Sequence, residues 1–141
     1  MDVFTKEVRS RVMSRVKARD TAPEMIVRRM AHGAGYRYRL HVSALPGSPD
    51  LVFPRYRSVI FVNGCFWHGH DCKRGTLPAS NVDFWETKIE ATRKRDERAG
   101  VELAQRGWRV MTLWECELED RGALESRIAR FLSNDEGAEH D

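Results

Sequence analysis

Residues 61–72 read FVNGCFWHGHDC, setting two thiols, two imidazoles and two glycines around the adjacent rings of Phe66 and Trp67. The apolar run at residues 59–62 (VIFV) has the composition of a buried strand. Beyond it the sequence follows neither a two-residue nor a 3.6-residue period, so the chain leaves the strand into a loop shaped by something other than hydrophobic packing. A metal ion would do it. Cys65, His70 and Cys72 offer three soft or borderline ligands within eight residues, and Cys116, far along the chain, can complete the tetrahedral set that zinc prefers. The plainer alternative makes Cys65 and Cys116 small buried hydrophobes and leaves the histidines lining a loop. Spacing alone does not decide which imidazole binds and which stays free.

The composition around this stretch bounds the rest. At 141 residues, 41% of them hydrophobic, the chain is expected to form one globular domain with a single core. Its three cysteines have no disulfide-dense spacing, and the sequence shows no signal peptide and no apolar run of membrane-spanning length. A reducing cytoplasmic setting, with no membrane partner, is the expectation. The formal charge of +3 hides a gradient: residues 1–41 hold ten Lys/Arg against four Asp/Glu, and residues 115–141 hold three against nine. The basic end is where a polyanion would bind.

Residues 1–20 read as a basic arm in which Arg9, Arg11, Arg15, Lys17 and Arg19 alternate with Val8, Val12, Met13 and Val16. Such an arm suits phosphate contact, with Met13 as an apolar wedge between base pairs; an amphipathic helix docked by its valines is the competing reading. Thr21 and Glu24 form a capping box with Pro23 in the first turn, so a helix starts there, with Ile26, Met30 and Ala34 as its inner stripe. Capping is a sufficient role for Glu24, and a second role near a cation is open. Residues 36–42 alternate as a strand does, and residues 46–49 (PGSP) form a loop.

A hairpin follows, with residues 50–53 and 58–62 flanking a turn at 54–57. If Tyr56 is central, paired residue numbers sum to about 112 and Asp50 lies opposite Val62. Its carboxylate would then stand beside the Val62 carbonyl at the head of the metal-rich loop, two oxygens of the kind magnesium takes; a plain turn role for Asp50 is the alternative. A long helix from Asn81 or Asp83 to about Gln105 carries a stripe of Trp85, Ile89, Thr92, Ala99 and Leu103. Asp96 falls on that stripe, inviting either a functional role or a buried ion pair with Arg93 or Arg95. A strand at 108–116 returns Cys116 toward the loop. A last amphipathic helix carries Leu124, Ile128 and Leu132 ahead of an acidic tail, residues 134–141, expected to fray.

GCFWH with its downstream His and Cys, LPGSPD, Arg19-Asp20-Thr21 with Glu24, the KRD around Asp96, and GWRV followed by WEC together resemble the very short patch repair (Vsr) endonucleases of bacteria. The resemblance runs from about Arg9 to Leu132. It implies an α/β fold with a restriction-endonuclease-like core, a mixed β-sheet flanked by helices, over residues 21–133, plus a structural zinc site. It implies a magnesium-dependent enzyme that nicks duplex DNA 5′ of the thymine in a T:G mismatch, the lesion left by deaminated 5-methylcytosine. A monomer is expected, with a functional link to a cytosine-5 DNA methyltransferase and to repair proteins.

By the same resemblance Asp50 is the direct magnesium ligand with the Val62 carbonyl beside it, His68 is the free imidazole that activates water, and Glu24 and Asp96 position metal-bound waters. Cys65, His70, Cys72 and Cys116 become the zinc ligands. Phe66, Trp67 and Trp85 correspond to aromatics that wedge into the duplex, Met13 to the arm's insertion from the other groove, and Arg15 and Arg19 to arm residues on the DNA. Asn63 departs from the pattern, since well-known members carry His there to contact the scissile phosphate or assist the leaving group. Asparagine donates a hydrogen bond but carries no positive charge. That keeps two alternatives in view: a Vsr-like nicking endonuclease with another target, such as restriction or phage defence, and a non-catalytic zinc-stabilised DNA-binding module.

Overall fold

The computed structural model describes residues 21–72 and 75–133. The arm with Met13, Arg15 and Arg19 and the acidic tail lie outside the described residues. In chain order the regular elements are α1 (Ala22–Gly33), β1 (Arg39–Leu40), β2 (Leu51–Phe53), β3 (Ser58–Asn63), α2 (Val82–Gln105), β4 (Arg109–Trp114) and α3 (Arg121–Ser133).

The four strands form one sheet in the order β1-β2-β3-β4. β2 pairs antiparallel with both β1 and β3, and β4 lies parallel to β3, from Ser58 against Arg109 to Asn63 against Trp114. A parallel neighbour needs a long crossover, and α2 supplies it. Leu51, Val52 and Phe53 are all buried, as are Val59 and Ile60, so both faces of the sheet are covered. One face carries Leu51, Phe53, Ile60 and Leu113 against Val27 and Ala31 of α1 and Leu124, Ile128 and Leu132 of α3. The other carries Val52, Val59, Phe61 and Val110 against Leu103 of α2. This is the expected mixed sheet flanked by helices.

Several details differ from the sequence reading. The β2–β3 register pairs Leu51 with Ile60, Val52 with Val59 and Phe53 with Ser58, a sum of 111, so Asp50 falls opposite Phe61 and not Val62. The turn is a 3-10 segment, Pro54–Tyr56, closed by Arg57 in the left-handed region (φ 49°), which moves the centre of the hairpin by half a residue. The buried stripe of α1 is Glu24, Val27 and Ala31, one position round from the expected Ile26, Met30 and Ala34; Ile26 and Met30 only flank it and Ala34 is exposed. The expected strand at 36–42 is reduced to the two residues of β1. The capping box reading stands in part, with Thr21 Oγ1 accepting from the Glu24 amide at 3.3 Å while the Glu24 carboxylate turns elsewhere.

Candidate active site and metal centre

Strand β3 ends at Asn63, and everything of chemical interest gathers at that end of the sheet. Asp50, one residue ahead of β2, turns its Oδ2 to accept the Val62 amide at 2.7 Å, so the one-residue difference in register is absorbed by the side chain. Two groups stand against it. His41 lies just beyond β1, donates its amide to the Asp50 carbonyl at 3.2 Å, and turns its ring inward. Glu24, 1% exposed, reaches across from the first turn of α1, its Oε2 2.7 Å from His41 Nε2 and 3.5 Å from Arg28 Nη1. One ligand atom each from Glu24, His41 and Asp50 lies within 4.8 Å of the others.

Burial raises the Asp50 carboxyl to about 6, the Val62 amide bond opposes that rise, the Glu24 charge adds to it, and the His41 and His68 charges draw it down. A carboxylate so placed gains from a cation. Oxygen donors on a partly solvated floor fit a hard divalent ion, and Asp50 with its neighbours has that chemistry.

His68 enters from the loop that follows β3. Its Nδ1 lies 2.5 Å from Asp96 Oδ2, which fixes the ring against α2. Asp96 is not on the buried stripe: its side chain is 41% exposed and the stripe consists of Trp85, Ile89, Ala99 and Leu103. Neither an ion pair with Arg93 nor one with Arg95 is its role among the described residues; the imidazole is its partner. Asp50, His68, Asp96, Asn63, Trp67 and Arg95 line one cleft of about 680 Å³, with His41 and Val62 in its wall. Asn63 is 7% exposed at the head of that cleft.

The second cluster lies behind the loop. Ligand atoms of Cys65, His70, Cys72 and Cys116 all fall within 4.8 Å of one another, with Cys116 Sγ 3.5 Å from His70 Nδ1. Cys116 comes from the 3-10 turn Glu115–Glu117 at the end of β4, and the His70 ring stacks on Trp114 at 4.2 Å and 13°. Burial pushes the Cys65 thiol up to about 12 and the Cys116 thiol above its ordinary range. Left alone, both would stay protonated, whereas three sulfurs and a nitrogen converging on one point suit a borderline-soft tetrahedral ion. Of the two imidazoles that spacing left equivalent, His70 faces the thiols and His68 faces Asp96.

Between the clusters the loop carries two half-buried rings. Phe66 and Trp67 meet edge to face at 5.1 Å, and both rest on Trp85, at 5.3 and 5.8 Å. Trp85 is 6% exposed and serves as the floor under the other two, while Phe84 beside it is 53% exposed. Sequence reasoning passed over both Phe84 and His41. Phe84 is off the apolar stripe of α2, and His41 sits in an irregular segment where no period applies.

The chain matches the family model described as DNA mismatch endonuclease Vsr over residues 1–74. It is 52% identical over 131 residues to the type II nicking enzyme V.XorIIP of Xanthomonas oryzae pv. oryzae, covering 93% of this chain and 96% of that one. It is 42% identical over 123 residues to the DNA mismatch endonuclease Vsr of Escherichia coli, covering 87% and 79%. In fold it is similar to the catalytic domain of the homing endonuclease I-Bth0305I, with a TM-score of 0.56 at 22% identity, over 82% of this chain and 98% of that domain. A mixed sheet with a carboxylate, an imidazole and a cluster of aromatic rings at one end is thus the scaffold of a DNA endonuclease. The chain belongs to the Vsr family of DNA mismatch endonucleases.

Proposed function

We propose that this enzyme nicks duplex DNA on the 5′ side of the thymine in a T:G mismatch, by magnesium-dependent hydrolysis, and so starts the repair of deaminated 5-methylcytosine. The observation that carries this reading is the shared cleft, lined by Asp50, the His68–Asp96 pair and Trp67, whose ring meets Phe66 edge to face.

Phosphodiester hydrolysis needs a base for the attacking water, positive charge beside the phosphate, and a stabilised leaving oxygen. Asp96 accepts from His68 Nδ1, so the neutral ring carries its lone pair on Nε2 and can take the proton from water there. Asp50, with the Val62 carbonyl, would hold one magnesium ion, which supplies charge for the phosphate oxygens when bound. A strand residue presents its N–H and C=O to the same side, so the amide bond to Asp50 implies a Val62 carbonyl facing that side too. Glu24 orients groups around that cation from the buried side. Asp96 orients His68 and, with Glu24, positions waters around that cation. Asn63 offers its amide N–H to a phosphate oxygen.

Phe66 and Trp67 open the base stack, at a cost of a few kcal/mol per step that is smallest at a mismatch, which gives selectivity. Trp85 acts as their backstop. In the second cluster a zinc ion bound by Cys65, His70, Cys72 and Cys116 stiffens the loop without touching substrate. Met13, Arg15 and Arg19 complete the grip on the duplex, in the bacterial cytoplasm, with the enzyme acting as a monomer linked to a cytosine-5 methyltransferase and to repair proteins.

The second reading is a nickase with another target. Asn63 favours it, as do the names of relatives called type II nicking enzymes. An oligonucleotide panel presenting every mismatch in several contexts, assayed for strand cleavage with magnesium and with EDTA, separates these. Cutting confined to the thymine strand of T:G supports the proposal. Equal cutting of matched duplex would support the second reading, and binding without any cleavage would leave a DNA-binding module.

A further inference from the structure

His41 does more than neighbour the site. Its backbone is in the left-handed region (φ 48°), where histidine is uncommon but tolerated, and the residue lines the cleft together with Asp50. The side chain is 10% exposed. Nε2 is fully buried and lies 2.7 Å from Glu24 Oε2. An imidazole nitrogen set against a carboxylate oxygen in this way is also how two ligands of one cation lie. Asp50 supplies the third, all within 4.8 Å.

We infer that His41 Nε2 is a direct ligand of the same cation that Asp50 holds, giving the site one nitrogen donor beside its carboxylate oxygens. The inference rests on the Asp50 cation reading above. A neutral imidazole adds no charge, but it changes which ion fits. Magnesium takes oxygen ligands and keeps much of its water, whereas manganese and the later divalent ions accept imidazole readily. His41 therefore tilts the site toward manganese, and it joins Glu24 of α1 to Asp50 of the sheet through the bound ion.

Manganese alone, added to zinc-replete full-length protein without DNA, is the probe, since zinc keeps the thiol cluster filled. Pulsed EPR of the wild type should report a nitrogen nucleus coupled to manganese. His41→Gln should abolish that coupling and weaken manganese binding about tenfold or more, while changing magnesium binding far less. Absence of the coupling in wild type, or its survival in His41→Gln, overturns the inference. His41→Asn, with circular dichroism on both variants, replaces the first should glutamine disturb folding. Asp50→Asn serves as the second arm: if it leaves manganese binding unchanged, the cation is not at Asp50 and the underlying reading fails, whereas loss in Asp50→Asn with none in His41→Gln sinks His41 alone.

Discussion

Asp50 is ionised at a place that resists ionisation. With its folded-state value at about 6 against an ordinary 3.8, the native protein binds the more protons between those values. Stability therefore falls as pH rises through that window, and above it the ionised group costs the metal-free fold on the order of 2 to 3 kcal/mol. Asp50→Asn should remove that fall and raise the melting temperature of metal-free protein at pH 7, read by calorimetry from pH 4 to 8. The same variant should lose nicking. His68→Ala should lower kcat by roughly 10² to 10⁴ with little change in DNA affinity. Asp96→Asn, which leaves the ring in place but no longer holds the tautomer as firmly, should lose less; single-turnover cleavage measures both. At this scale the position of Asp50 was legible because a strand follows it directly, whereas spacing left His68 and His70 equivalent and only the family resemblance separated them. His41 was not, since its role depends on a left-handed turn and on a glutamate seventeen positions earlier. Asp96 was found for the wrong reason: the helical period placed it inward, and a half-exposed imidazole pair is what it makes.

The elements were easier to read than their phase. Helix α2 was expected from Asn81 or Asp83 to Gln105 and spans Val82–Gln105, because its length carries many turns of consistent pattern. In α1 the stripe lies one residue away from expectation, since Glu24 is drawn inward by His41 and Arg28, and no apolar scale anticipates a buried acid. The hairpin missed by one because the 3-10 turn and its left-handed closing residue leave four residues, 54–57, between the paired Phe53 and Ser58, whereas a turn centred on Tyr56 needs an odd number. The loop is seated on α2 at Gly69, in the left-handed region (φ 65°), where a Cβ would stand 2.5 Å from Ile89 Cγ2 and 2.9 Å from Arg93 Cδ. Gly69→Ala should therefore push the loop off the helix and separate His68 from Asp96. We expect a loss of about 1 to 3 kcal/mol in urea melts together with a drop in kcat. A fall in stability with kcat intact would mean that the loop tolerates the shift.

At the level of the whole molecule, the thiol cluster joins the loop after β3 to the turn after β4, so a zinc ion held there would tie together strands already paired in parallel. Stripping it with a strong chelator should lower the melting temperature by roughly 10 °C or more and quench cleavage, even when magnesium is restored. The charge gradient makes a separate prediction. Residues 1–20 hold six Lys/Arg, and deleting them should weaken DNA binding and flatten its dependence on salt, by about 0.9 in the logarithmic slope for each phosphate the arm no longer neutralises. Titrations at several salt concentrations read that directly. Cysteine spacing and charge asymmetry raise these two expectations in the sequence, whereas the strand order needed the parallel β3–β4 pairing, which no local pattern encodes.

β3 has its reactive company at Asn63 and only the tight turn of residues 54–57 at Ser58, five residue steps or about 16 Å away. The exposed Arg55 on that turn is thus a natural attachment point. A short epitope or dye-bearing peptide grafted there would leave the cleft untouched, providing a handle for watching single molecules scan a duplex.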